Sequence, residues 1–160
     1  MQSLLADCQH GHKVKYYYGL EAIWYVVHNL PMTCTVLFHD AFDTEFSSLK
    51  EDLQDELLAH ARLLAEFGPN LGRPTVDTLQ GSQHTNMKEL RFSWNGQVWQ
   101  VAFAFDPQRQ AILLVGGDKG GVDQRRFYKR LINVADSRYD EHLGTLTQHS
   151  KEPHHGKKTR

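Results

Sequence analysis

Residues 87–116 read MKELRFSWNGQVWQVAFAFDPQRQAILLVG, and this stretch decides the fold. A β-type run leads to Asn95-Gly96, a dipeptide that favours a type I′ hairpin turn, and 98–105 makes the return strand. Asp106-Pro107 predicts another turn, and the continuous apolar run 111–115 is typical of a strand buried on both faces. The stretch therefore predicts three consecutive antiparallel strands.

Helical patterns flank these strands. Leucine and alanine recur at three- and four-residue spacing from Leu49 until Gly68-Pro69 stops the pattern, and Asp40 is predicted to cap a preceding helix that begins with Ala41. A short strand is predicted over 35–39, a loop over 68–83 and a final helix over about 123–143. The predicted order is β-α-α-β-β-β-α, a small α+β domain with an antiparallel sheet and helices on one face.

A chain of 160 residues is long enough for one domain with a hydrophobic core. We assign this domain to residues 32–146. It lies between an N-terminal extension of uncertain structure, 1–31, and a polar, basic tail, 147–160, that is expected to be disordered. Two interpretations of the extension stay open: translation begins at Met32, or a short accessory helix over about 20–28 packs on the domain.

Charge and cysteine content limit the function classes. The net charge is −1, but residues 1–87 are acidic and 88–160 basic, which points weakly to a polyanionic partner. The two cysteines lack the spacing of a disulfide framework or a zinc site, so no metal and no cofactor are expected and a reducing cytoplasm is the default location. The apolar stretch 16–27 is too short to span a bilayer, so no membrane segment is expected.

Four segments resemble those of the RelE/ParE toxin superfamily, in particular its HigB-like, phage-derived branch. They are LLAEFGPNLGRPTVDTLQGS (63–82), NMKELRF (86–92), VAFAFDPQRQAILLVGGDKGG (101–121) and RRFYKRLINVADSRYDEHL (125–143). The resemblance implies a RelE-like domain that acts as the growth-inhibiting toxin of a type II toxin–antitoxin pair. Such a toxin is a metal-independent endoribonuclease that binds and cuts mRNA, often on the ribosome, and a helix-turn-helix antitoxin of the HigA type neutralises it.

Metal-free RNA cleavage through the ribose 2′-OH needs cations that stabilise charge on the phosphate and groups that move the proton. The resemblance implies cationic residues on the first hairpin strand and RNA-gripping and stacking residues on the last helix. The glycine-rich turn 116–121 also suits a phosphate. The candidate catalytic residues are Arg91, Lys119, Tyr128 and Lys88, and the candidate RNA-binding residues are Arg126, Arg109 and His84.

Two features complicate this assignment. Lys88 and Arg91 are three residues apart, so they point to opposite faces of a flat strand unless a bulge intervenes. Gln100 stands where relatives commonly carry Arg, which puts full catalytic strength in doubt. The alternative is a non-catalytic member of the same fold: a gyrase poison, a phage regulator or an inactive toxin remnant.

Overall fold

The computed structural model describes Ser3–Leu5, Lys15–Tyr17, 34–118, 120–121 and 123–149. It has the predicted α+β class, with three helices and a five-stranded sheet. The elements in chain order are β1 (Ser3–Leu5), β2 (Lys15–Tyr17), β3 (Val36–Phe38), α1 (Asp40–Ser47), α2 (Glu51–Phe67), β4 (Val76–Thr78), β5 (Met87–Trp94), β6 (Gln97–Phe105), β7 (Ala111–Asp118) and α3 (Gln124–His149).

The five-stranded sheet has the order β3-β7-β6-β5-β4. Strands β4 to β7 pair antiparallel, as predicted for β5 to β7, but β3 pairs parallel with β7, so the sheet is mixed. The turn at Asn95-Gly96 has positive φ at both residues, 51° and 75°, which matches the predicted type I′ hairpin. Strands β1 and β2 form a separate antiparallel pair within 1–31.

Helices pack on both faces of the sheet, and the prediction that they share one face is wrong. Helices α1 and α2 cover one face, where Val101 and Phe103 of β6 point toward them. Helix α3 covers the other face, where Ala102 and Ala104 point toward it. Successive side chains of a strand point to opposite faces, so the apolar run in β6 requires cover on each side.

Several boundaries differ from the predicted ones. The predicted loop 68–83 contains β4, because Val76 is buried and pairs with Leu90; three residues are too few to show an alternating pattern. Helix α1 begins at Asp40, and the side chain of His39 is the one that accepts the capping hydrogen bond. Helix α3 continues to His149, beyond the predicted end and into the tail 147–160. The alternative helix over 20–28 lies outside the described residues.

In the described part of the chain, no helix combines the length and apolar character needed to cross a membrane.

Candidate active site

A cleft opens on the α3 face of the sheet, where β4 and β5 meet the first turns of α3. The strand register brings its walls together, since Asp77 lies opposite Glu89 and Arg91 lies opposite Gln100. These four residues therefore project on the same side of the sheet as α3. The cleft measures about 280 Å³ and is lined by Arg73, Asp77, Thr78, Gln80, Glu89, Arg91, Gln124 and Tyr128.

Glu89 joins the groups in this cleft. Its side chain is 3% exposed, and its Oε1 accepts hydrogen bonds from the Arg91 guanidinium, with 3.0 Å to Nε. Its Oε2 accepts a hydrogen bond of 3.2 Å from the Tyr128 hydroxyl. A buried carboxylate is costly unless it is paired and hydrogen-bonded. Glu89 therefore fixes the positions of both Arg91 and Tyr128.

Tyr128 lies in the second turn of α3 and is the only α3 side chain that reaches Glu89 among the described contacts. Its hydroxyl accepts a 2.7 Å hydrogen bond from Gln100 Nε2 while it donates to Glu89. Burial, and then the Glu89 carboxylate, raise the pKa of Tyr128 above its ordinary value. The phenol therefore keeps its proton at neutral pH.

Arg91 bridges two carboxylates. Besides Glu89, its Nη2 lies 3.3 Å from Asp77 Oδ2, and the same oxygen lies 2.9 Å from Arg73 Nε. A hydrogen bond from the Thr78 backbone N–H and the neighbouring Arg73 hold the pKa of Asp77 below its ordinary value. The Arg91 side chain is 35% exposed, so part of the guanidinium faces the cleft.

Of the predicted site residues that the structure describes, it brings together two, Arg91 and Tyr128. Lys88 lies on the opposite face, because β5 pairs with β6 in unbroken register from Met87 to Trp94 without the bulge that Lys88 would need. Lys119 lies outside the described residues. Asp118, which precedes it, pairs with Trp99 beside Gln100.

The three predicted RNA-binding residues lie away from the cleft. Arg109 is in the β6–β7 turn, beyond the end of β6 at Phe105, which is about 17 Å from Gln100 along the strand at ~3.3 Å per residue. His84 contacts Asp140 at 2.8 Å, three turns of α3 beyond Tyr128. Arg126 is exposed in the first turn of α3, two positions before Tyr128 and thus on another side of the helix.

Sequence reasoning missed Glu89, Asp77 and the role of Gln100. Glu89 and Arg91 are two residues apart on one strand, a spacing that places them on the same face and would have indicated the pair. Asp77 fell in the predicted loop. Gln100 is 7% exposed, and among the described residues its Oε1 is buried without a hydrogen-bond partner.

The raised pKa of Tyr128 gives a direct prediction. In an alkaline titration of the folded chain followed by tyrosinate absorbance, Tyr128→Phe should remove one of the tyrosines that ionise late. The folded protein favours the neutral phenol, so the raised pKa of Tyr128 makes the stability of the fold depend on pH. Its stabilising contribution is present below the ordinary tyrosine pKa and is lost as the pH rises through the pKa of Tyr128 in the folded protein. If Tyr128→Phe instead removed a tyrosine that titrates at the ordinary pH, the result would contradict the placement of the Tyr128 hydroxyl against Glu89.

No group of three or more His, Cys, Asp or Glu side chains within the described ranges is arranged to hold a metal ion.

Comparison with known proteins places the chain in a family. The model for "Phage derived protein Gp49-like (DUF891)" matches residues 44–140. "Putative toxin HigB2" of Mycobacterium tuberculosis (strain ATCC 25618 / H37Rv) is 43% identical over 98 residues, which are 61% of this chain and 48% of that protein. "Putative toxin HigB3" of the same strain is 44% identical over 100 residues, 62% of this chain and 85% of that protein.

The chain thus spans about half the length of HigB2 and most of HigB3. No solved structure matches it significantly. The family membership predicted from the sequence is confirmed, because the family model covers more than half of the chain. This chain belongs to the phage-derived Gp49-like family, on the HigB-like branch of the RelE/ParE toxins.

Proposed function

We propose that this chain is the toxin of a type II toxin–antitoxin pair and that it cleaves RNA through the ribose 2′-OH without a metal ion. The observation that carries the proposal is the cleft in which Glu89 holds both a cationic Arg91 and a protonated Tyr128. Its two relatives from Mycobacterium tuberculosis bear the name of toxins, which supports the same class.

The reaction we assign to the cleft is an in-line displacement at phosphorus. The 2′-OH loses its proton to a solvent water and its oxygen forms a bond to phosphorus. The bond from phosphorus to the 5′-oxygen breaks, and the products are a 2′,3′-cyclic phosphate and a 5′-hydroxyl. Arg91 stabilises the negative charge that develops on the phosphate oxygens. The Tyr128 hydroxyl turns from Glu89 to the departing 5′-oxygen, gives it a proton and regains one from water after the product leaves. Because the 2′-OH is the nucleophile, DNA is not a substrate.

Glu89 is a positioning residue in this scheme. It is too buried to meet RNA directly, but it orients the guanidinium and the phenol. Gln100 also has a positioning role, since its amide donates to the Tyr128 hydroxyl where relatives commonly carry a cation. Lys119 stays a predicted phosphate-binding residue from the sequence.

The partners follow from the family and are part of the proposal. We propose that the substrate is mRNA in the cytoplasm, bound alone or on the ribosome, and that a helix-turn-helix antitoxin neutralises the chain. A specific observation favours a non-catalytic alternative: the positive charge of Arg91 is already offset by Glu89 and Asp77. A gyrase poison or an inactive remnant would need no free cation there.

The deciding experiment has two arms. The first is induced expression in a bacterial host with mapping of RNA ends: growth arrest with new mRNA ends supports the nuclease, arrest with intact mRNA favours a gyrase poison, and no arrest favours the remnant. The second incubates purified chain with a synthetic RNA in EDTA. Cleavage should persist and leave a 2′,3′-cyclic phosphate, and one 2′-deoxy nucleotide at the mapped site should abolish it.

A further inference from the structure

The cleft alone has no net positive charge. Its lining contains two arginines, Arg73 and Arg91, and two carboxylates, Asp77 and Glu89, which pair with one another. A polyanion is attracted by cations that are not already neutralised at short range. If RNA enters this cleft, unpaired cations next to it have to supply that attraction.

One side of α3 leads to the cleft. Ile132 packs against Gly81, where a Cβ would lie 3.4 Å from the Ile132 side chain, and Asp136 accepts a hydrogen bond from Ser82. Helix positions spaced by three and four residues share a side, so this side continues toward the helix start through Lys129 and Arg125. It therefore passes the cleft, whose lining includes Gln124 and Tyr128 of α3.

Arg125 and Lys129 are exposed and free to bind an anion. Neither makes an ion pair with another residue of the described part of the chain. They are about 6 Å apart along the axis, one helical turn. Arg126 and Arg130 are exposed too, but each lies about 100° further around α3, on the side turned away from β4 and the cleft.

The opposite face of the sheet repels a polyanion. Helices α1 and α2, which cover it, contain eight Asp or Glu residues and one Arg. The first nine residues of α3, 124–132, contain four cations and no carboxylate. Charge complementarity therefore directs an RNA strand to the α3 side of the molecule.

We propose that Arg125 and Lys129 bind consecutive phosphates of a single-stranded RNA as it enters the cleft. This inference rests on the proposed function and adds the path of the substrate. It also replaces Arg126, the residue that the family resemblance implied, with its neighbour on the cleft side. An unstacked strand fits better than a duplex, because the scissile phosphate has to reach Arg91 between β5 and α3.

The test measures affinity for a fluorescent single-stranded RNA that carries 2′-O-methyl groups and so cannot be cut. The dissociation constant is measured over a range of salt for the wild type, Arg125→Gln, Lys129→Gln and Arg130→Gln, the last being the control that removes the same charge from the far side of α3. Each of the first two should lower the slope of log affinity against log salt by about 0.7, the value per phosphate on a single strand. Arg130→Gln should change this slope by less than half as much.

Arg126→Gln distinguishes Arg125 from Arg126 as the phosphate-binding residue. A decrease in the salt slope as large as that of Arg125→Gln would overturn the path proposed here. Equal decreases in all four variants would overturn it too. Cleavage of unmodified RNA is assayed in parallel. If the wild type cuts RNA but Arg125→Gln and Lys129→Gln keep the full salt slope, this inference fails and the nuclease proposal stands. If the wild type neither binds nor cuts RNA, both fail.

Discussion

Arg91→Gln should lower the rate of RNA cleavage about 10²- to 10³-fold, the usual cost of removing one donor that stabilises the transition state. The guanidinium is the only cation of the cleft that contacts Glu89 among the described residues, and a neutral amide cannot balance the charge that develops on the phosphate. Single-turnover rates with a synthetic RNA measure the effect. More than a tenth of the wild-type rate in a folded variant would contradict the assignment.

Stability has to be separated from catalysis in this experiment. Arg91→Gln leaves the buried Glu89 carboxylate with fewer partners, which costs about 1–3 kcal/mol in the free energy of unfolding. The double variant Glu89→Gln/Arg91→Gln removes the uncompensated charge and should recover part of that stability but none of the activity. Arg73→Gln is the matched control, because Arg73 lines the same cleft and pairs with Asp77 while its side chain is 79% exposed. The cleavage rate of this variant should stay within a few-fold of the wild type, since an exposed ion pair contributes little.

Local signals in the sequence predicted much of this fold. The Asn95-Gly96 turn, the alternating strands beside it and the leucine spacing of α2 depend on residues close together in the chain, so each could be recognised from its own segment. The arrangement of the helices could not. Whether α3 lies on the face of α1 and α2 or on the other depends on how the chain leaves β7, in a glycine-rich turn that has no periodicity.

The candidate site was predicted only in part for the same reason. Arg91 and Tyr128 were found because cations and tyrosine have recognisable chemistry and the family resemblance points to them. The spacing of Glu89 from Arg91 could have indicated a pair, but the importance of Glu89 comes from burial between Arg91 and Tyr128, and Tyr128 lies 39 positions away in sequence. Arg125 and Arg126 are adjacent in sequence, and only the position of α3 against β4 decides which one faces the cleft.

The most informative single substitution is Tyr128→Phe, which removes one oxygen from the cleft. If Tyr128 protonates the leaving oxygen, the maximal cleavage rate should fall about 10²- to 10⁴-fold, the range typical of a general acid, while affinity for uncleavable RNA should change little. A purely structural hydroxyl would instead lower stability and leave the maximal rate of the folded protein unchanged. The kinetic split therefore distinguishes the two roles.

Tyr139→Phe provides the matched control on the same helix. Tyr139 is buried and Tyr128 is half-buried. The Tyr139 hydroxyl donates to the Phe105 carbonyl at 3.0 Å and accepts from Asn86 Nδ2 at 3.0 Å, and burial raises its pKa as well, but it lies three turns of α3 away from the cleft. Both variants should lose a similar free energy of unfolding, about 1–3 kcal/mol, because each removes a hydroxyl that makes two hydrogen bonds. Only Tyr128→Phe should lose cleavage, because only its hydroxyl lies in the cleft, hydrogen-bonded to Glu89. Equal rates in the two variants would remove Tyr128 from the reaction and leave Arg91 to act alone.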